Sequence, residues 1–467
     1  MGSPVRPFTL LAFGVPTLLA VGLACMGFDG LYGQDAYGYL RQALAFPGPA
    51  GSGTTFPEGY PAIVAILGRA IGGPLIAARC VSVLSHAAVA WILFTLLGRA
   101  FPAADRKALA CHAVCSVSLS PFLLRSSQVV MADAWCLFLL MAAFACLLRV
   151  REVPGPKWVF ATTVALAGAC WARYAAAPLA LVFAAALVRY AVRSSKAKAL
   201  WPLLLTAIVL AVLVPREAVH AALEHPWLRE WSPVNAFRRR FVTADGLAQY
   251  TLPNVFHVAK VLVHPGFLTL GPLLLPFVRR ADLRLPIVRL AVCGAAVYLV
   301  FLMGPPYQND RFLLLAQPFL ALALFPAFLR LHARLVALGR KPVRLLGAVA
   351  VLQLVLLVPA MRGYLRHNAV ERRIAQAVNE RPERVVYAFA VSGALRVRCA
   401  DRSVHELWGA PVEHFEAGAL VVFNPTEFAR QWEGMDPMLN WQRALDRGAA
   451  PVMDWPDGWI IARLPGP

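Results

Sequence analysis

Three acids and a set of arginines are placed where chemistry on an anionic substrate would need them. Asp133 is the only one of the 25 acidic residues that falls inside an apolar run, at the end of Ser126-Ser127-Gln128-Val129-Val130-Met131-Ala132-Asp133. A carboxylate at membrane depth is costly, so it is kept either by an ion pair with a neighbour such as Arg125 or Arg173 or by a function. Asp35, in Gly33-Gln34-Asp35-Ala36-Tyr37, follows the first apolar run almost at once. It is suited to cap a helix over 36–46, and a carboxylate fixed there is also placed to take a proton from a hydroxyl as a general base. Glu58, in Pro57-Glu58-Gly59-Tyr60-Pro61, is a third acid in the same loop and by itself reads as a solvated charge. Arg125, Arg173 and Arg311 stand at the ends of apolar runs, and Arg41 and Arg79 flank the first loop. Each alone reads as an arginine snorkelling to lipid headgroups. Five on one side, near three acids, suit a phosphate, whose oxygens match the guanidinium fork. His257 and His264 would share a face if their stretch were helical. No HxxxH or HExxH pair exists, so spacing supports no metal site.

Positioning these residues falls to long apolar helices. The chain has 467 residues, 59% of them hydrophobic and only 15% charged, with a mean hydropathy of +0.61. That composition is of a membrane protein. Apolar runs at 8–28, 74–98, 108–123, 128–148, 158–173, 174–192, 200–216, 258–278, 286–303, 312–329 and 345–361 predict about eleven spans. The formal charge of +20 would in a soluble chain suggest nucleic acid. Here Lys and Arg alternate from loop to loop, dense at 99–107, 149–157, 189–198, 279–289 and 330–344 and sparse between, as cytoplasmic loops require. Merging the two runs at 158–192 into one would invert everything after them. The nine cysteines form no CxxC pair and lie almost all in apolar runs, which excludes a disulfide framework and a cysteine metal site.

Three polar regions fall on the outer side in this topology: the loops 29–73 and 217–257, and the tail 362–467. The first loop holds two short segments suited to the interface, 36–46 and 60–71. The tail carries thirteen bases against thirteen acids and adds nothing to the net charge. It reads as a small α/β unit, with a helix over 364–380, strands at 385–390 and 419–423, a helix capped by Thr426, and a hairpin turning at Pro456-Asp457-Gly458. The expected fold is thus an all-α polytopic membrane domain, 1–361, followed by a soluble α/β domain, 362–467. No internal repeat and no nucleotide-binding glycine loop is found.

In this order and spacing the motifs resemble the GT-C class of integral membrane glycosyltransferases, in particular the bacterial lipid A aminoarabinose transferases and protein O-mannosyltransferase-like enzymes. The resemblance rests on Asp35-Ala36-Tyr37-Gly38-Tyr39, Pro57-Glu58-Gly59-Tyr60-Pro61, Ser120-Pro121 with Ser126 to Asp133, Arg173-Tyr174, His264-Pro265-Gly266-Phe267, and Arg311-Phe312 with Pro318. It implies that Asp35 and Asp133 are the catalytic carboxylates. It further implies that Arg41, Arg125, Arg173, Tyr174 and Arg311 hold the donor phosphate, and that Glu58 and His264 match residues able to bind a divalent ion in aminoarabinose transferases. Ala36 stands where relatives often have a second acid. The implied function is an inverting transfer of a sugar from a polyprenyl-phosphate donor to a lipid, glycan or protein acceptor. The implied setting is a bacterial inner membrane, with the site and the tail on the periplasmic side and no role for nucleic acid. A polysaccharide ligase or polymerase is the alternative, using basic residues such as Arg238–Arg240 and His257 in the later loop. A secondary transporter would need ionisable residues near the midplane of paired spans and internal symmetry, and the chain offers neither.

Overall fold

Long apolar stretches with few charges can satisfy their backbone in lipid only as helices, and helices are what they form. The computed structural model describes residues 5–48, 56–153, 155–193 and 226–466. Among the described residues five helices are long and apolar enough to cross a membrane: α1 (whose apolar part is Phe8–Cys25), α4 (Pro74–Ala100), α7 (Asp133–Glu152), Pro286–Met303 and Pro342–Asn379. A sixth span results if Gln317–Ala323 and Phe325–Ala337, which meet at 51°, are one broken crossing. The runs expected at 158–173 and 174–192 are two separate 17-residue helices, α8 (Pro156–Ala172) and α9 (Ala177–Arg193). The run at 200–216 lies outside the described residues.

Two expected spans are interrupted. The run at 108–123 passes from α5 (Arg106–Ala113) through a π-helical turn, Val114–Ser118, into α6 (Pro121–Ser126). Pro121 and the wide π turn free backbone carbonyls, and buried amides answer them: Gln317 Nε2 donates to Ser116 O (2.9 Å), and Gln353 Nε2 donates to Cys115 O. The run at 258–278 is no single helix either. Its first part, Asn254–Val263, ends before Pro265 because the residue preceding a proline is driven to extended backbone, and His264 sits at φ −85°, ψ 127°. His257 is therefore on the helix and His264 beyond its end.

The membrane core is apolar and well packed. Phe144, Phe183 and Phe319 are fully buried and meet with ring centroids 5.2–5.4 Å apart. Gly294 lets Pro286–Met303 approach Phe183, since a Cβ there would lie 2.9 Å from the ring. In α1 and Pro342–Asn379 only 22% of the apolar window is buried. Their remaining apolar surface, including Leu18, Val21, Val355 and Val358, faces outward where lipid would be.

Before α4 come the two expected short helices, α2 (Gly33–Ala45) and α3 (Gly59–Ile71). The last long helix does not stop at the membrane: its 38 residues run from Pro342 to Asn379, so the expected division at 361/362 falls inside one helix. Beyond it a five-stranded sheet has the order β4-β3-β5-β7-β6, where β3 is Val385–Ala388, β4 Ser403–Glu406, β5 Leu420–Phe423, β6 Ala450–Asp454 and β7 Ile460–Arg463. The pairs β3–β4 and β3–β5 are parallel, and β7 pairs antiparallel with both β5 and β6. The last pair is the expected hairpin at 456–458. Asn424, not Thr426, caps the short helix after β5, because its side chain already accepts from Glu427 N–H (3.0 Å). The segment ahead of Asn254–Val263 contributes a hairpin, β1 (Arg240–Thr243) with β2 (Gly246–Gln249), which docks on the tail through Leu247 N–H to Gln431 O (2.7 Å) and Trp408 Nε1 to Ala244 O (3.1 Å).

Candidate active site

Four charged side chains from four separate segments converge. Asp133 opens α7 and is 2% exposed. Its Oδ1 pairs with the guanidinium of Arg173, which closes α8, and its Oδ2 lies 3.4 Å from Arg311 Nε. The other side of Arg311 reaches Asp35, Nη2 to Oδ2 at 2.7 Å. Arg311 is thus the bridge between the two carboxylates. Its Nη1 also contacts Met131 Sδ at 2.9 Å, and both arginines lie over the Phe312 ring, at 4.6 Å for Arg173 and 5.4 Å for Arg311.

Local structure explains each placement. Asp133 is in the first turn of its helix, where free N–H groups and the helix dipole favour a negative charge. Arg173 lies in extended backbone between two helices, φ −160° and ψ 120°, before the short turn Tyr174–Ala176. Arg311 follows Asn309, which caps a four-residue helical turn by accepting from Arg311 N–H (3.0 Å). Burial alone would pull the Arg311 pKa down, but the charges of Asp35 and Tyr39 and the hydrogen bond to Asp35 outweigh it, so the guanidinium is held more firmly charged than usual. Asp35 sits in the first turn of α2, two residues inside the start; Tyr32 holds the cap position, with no side-chain cap. The expected capping role is therefore not the one Asp35 performs. Its carboxylate is spent on Arg311, and its side chain stays 35% exposed while the other three are nearly buried.

The remaining expected residues fall in three places. Arg125 lines a cavity of about 530 Å³ together with Tyr32, Phe122, His264, Tyr364 and His367. Its guanidinium is sandwiched between the Phe122 and Tyr364 rings at 4.6 and 4.7 Å, and no carboxylate among the described residues pairs with it. Of the two partners expected for Asp133, Arg173 is the one that pairs with it, joined by Arg311, and Arg125 does not. His264 stacks on Phe122, and its Nδ1 accepts from Gly266 N–H (3.1 Å). Glu58 is elsewhere, close enough to Tyr174 for its charge to raise the phenol pKa after burial has done so. Arg41 faces Arg396 of the tail rather than the carboxylates; burial first, then that like charge, lowers its pKa. Among the described residues no three His, Cys, Asp or Glu side chains gather as an ion's ligands would. Glu58 lies beside Tyr174 and His264 against Phe122, so the two residues fall in different surroundings.

Residues that no motif marked complete the surroundings. Glu371 is 1% exposed and accepts from Gly33 N–H (3.2 Å) and Tyr37 OH (3.1 Å), with His367 Nε2 at 3.2 Å. Arg398 reaches Asp29 (2.5 Å) and Tyr37 OH (3.1 Å). These lie more than 330 positions from the helix they touch, and their only trace in the sequence is a lone acid in an otherwise basic stretch, His367 to Arg373.

The fold is similar to that of solved membrane proteins, and part of the sequence matches a family model. Residues 57–217 match the family model described as dolichyl-phosphate-mannose-protein mannosyltransferase. Among solved structures, ArnT from Cupriavidus metallidurans bound to undecaprenyl phosphate aligns over 97% of this chain and 98% of its own, at 15% identity and a TM-score of 0.57. The apo form of the same protein aligns over 97% and 99%, at 14% identity and 0.57. The apo oligosaccharyltransferase of Archaeoglobus fulgidus aligns over 85% of this chain and 64% of its own, at 14% identity and 0.47. No curated protein matches the chain.

Proposed function

We propose that the protein is an inverting membrane glycosyltransferase that takes a sugar from a polyprenyl-phosphate donor and passes it to an acceptor on the periplasmic side of a bacterial inner membrane. The observation that carries this reading is the bridge Asp35–Arg311–Asp133–Arg173 at the outer ends of the spans. A half-exposed carboxylate beside buried guanidiniums is what a single displacement at an anomeric carbon requires. The acceptor hydroxyl gives its proton to Asp35 as its oxygen forms a bond to the anomeric carbon. The bond from that carbon to the phosphate oxygen breaks on the opposite face, which inverts the configuration. The departing phosphate carries the negative charge to Arg311 and Arg173, fixed cations that need no reorganisation when that charge develops.

Asp133 holds the two arginines in place. It is too buried to take up a proton from solvent-side substrate, so its part is orientation. Arg125, held between two rings in the cavity lining, suits the phosphate or the approach to it, with Leu356, Pro359 and Ala360 offering apolar surface to a lipid chain. Tyr174 borders the site through the turn after Arg173, and Arg41 on α2 faces the tail, where it could meet an acceptor rather than the donor phosphate. The likeness to ArnT and to the mannosyltransferase family model supports a lipid-linked donor. The sugar and the acceptor class, whether lipid, glycan or protein, follow from neither. Incubating purified protein with a panel of polyprenyl-phosphate sugars should consume at least one donor, and Asp35→Asn and Asp133→Asn should not. Consumption by Asp35→Asn at the wild-type rate would remove the base from the mechanism. A ligase or polymerase would instead depend on Arg238–Arg240 and His257 and survive both substitutions.

A further inference from the structure

We propose that Glu371 is the positioning residue for Asp35, and that through it the tail sets the geometry of the transfer site; this rests on Asp35 being the base. The first turn of α2 is divided between two parts of the molecule. Asp35 points to Arg311 of the membrane region (2.7 Å). The residues around it are all held by the C-terminal part. Gly33 N–H and Tyr37 OH, two positions before and two after Asp35, donate to the two oxygens of Glu371 (3.2 and 3.1 Å). Gln34 Nε2 donates to Ser392 Oγ (3.0 Å), and its Oε1 accepts from Gly393 N–H (2.8 Å).

The segment leading into this turn is gripped in the same way. Asn368 Nδ2, one helical turn before Glu371, donates to Asp29 Oδ1 (2.9 Å) and Leu31 O (2.8 Å), and Arg398 pairs with Asp29 while donating to Tyr37 OH. Gly33 itself has φ +64°, a conformation open to glycine, so its N–H can turn toward Glu371 where a larger residue would be strained. A carboxyl group 1% exposed is expensive to bury, and apolar packing would join the two helices as well. What Glu371 adds is direction: two oxygens fix both the translation and the roll of α2, and therefore where the Asp35 carboxylate lies relative to Arg311. A shift of about 1 Å at a reacting group can cost on the order of a hundredfold in rate.

The test is kinetic, with undecaprenyl phosphate bearing a labelled sugar that the wild-type enzyme consumes. Glu371→Ala should lower kcat about 100-fold with KM within about threefold, while Glu371→Gln, which keeps one acceptor oxygen, and Tyr37→Phe, which removes one donor, should each lower it about tenfold. In the Asp35→Asn background Glu371→Ala should lower the residual rate no further, because the group it positions is gone. A merely structural role would reduce the folded yield or Tm and leave kcat of the folded enzyme unchanged. The inference is overturned if folded Glu371→Gln and Tyr37→Phe both turn over at the wild-type kcat, or if the effects of Glu371→Ala and Asp35→Asn multiply. An active Asp35→Asn enzyme would instead overturn the reading of Asp35 on which the inference rests.

Discussion

Removing the guanidinium of Arg173 would leave Asp133 buried with only the edge of Arg311 beside it. An uncompensated buried charge is worse than either a complete pair or an apolar replacement, by roughly 3–5 kcal/mol. Arg173→Met is therefore expected to unfold at markedly lower temperature than wild type in a detergent melt, and Arg173→Met with Asp133→Leu to recover part of the loss. At Arg311 the demand is geometric rather than electrostatic. Lysine keeps the charge but cannot span Asp35 and Asp133 with separate nitrogens of one plane. Arg311→Lys should express and melt near wild type yet lose about tenfold to a hundredfold in donor consumption, by the loss of a fixed cation at the leaving group. The acids at this scale were legible beforehand: a single carboxylate in an apolar run and another directly after the first span stand out by cost alone. Their partners were less so. Arg125 and Arg173 were equal candidates for Asp133, and only the two turns that end α8 and begin the Arg311 segment decide between them.

At the scale of elements, most helices could be read from apolar runs, but the interruptions could not be placed. At the π turn Val114–Ser118 the freed backbone is satisfied by Gln317 and Gln353 from distant positions, and at the break before Pro265 Thr269 Oγ1 donates to Pro265 O (2.7 Å). Hydropathy has no record of that. Polarity changes near residue 362 within the helix Pro342–Asn379, so composition suggests a boundary where the helix continues unbroken. On its outer part, burial pulls the His367 imidazole down, but the hydrogen bond and charge of Glu371, aided by Glu427, raise its pKa above the ordinary value. The sign follows from the protonated form being favoured in the folded state. That contribution to stability is complete below the unfolded value, near 6.5, and is lost as pH rises through the higher folded one. Between pH 6 and 8 the wild type should lose more Tm than His367→Gln does; equal slopes for the two proteins would show that the pair is not coupled to folding. The β1–β2 hairpin has its own test. Gly246 is at φ +89°, and a Cβ there would press on Gln431 O. Gly246→Ala should loosen the hairpin from the tail, read as faster protease cleavage near residue 245 with the membrane region intact.

For the whole molecule, the proposed orientation puts basic loops on one face of the spans and the reacting groups at the other, so the positive charge would follow from topology rather than from a nucleic-acid partner. In a background with the nine native cysteines replaced, single cysteines introduced at exposed Glu413 in the tail and Arg340 between spans should report this directly. In intact cells a membrane-impermeant maleimide should label the first and not the second, and the reverse pattern would invert the orientation. How the tail meets the membrane part was the least legible feature. Asp29, Gln34 and Tyr37 bind Arg398, Ser392 and Glu371 across more than 330 positions, through polar side chains that local pattern cannot distinguish from solvated surface. In the proposed transfer, Asp35 takes the acceptor's proton while Arg311 and Arg173 receive the phosphate. The most direct test is the single-turnover rate of transfer from a polyprenyl-phosphate-linked sugar at saturating donor, wild type against Asp35→Asn. Loss of the base should slow that step by roughly 10²–10⁴ with donor binding retained. An Asp35→Asn enzyme that transfers at the wild-type rate would contradict the account.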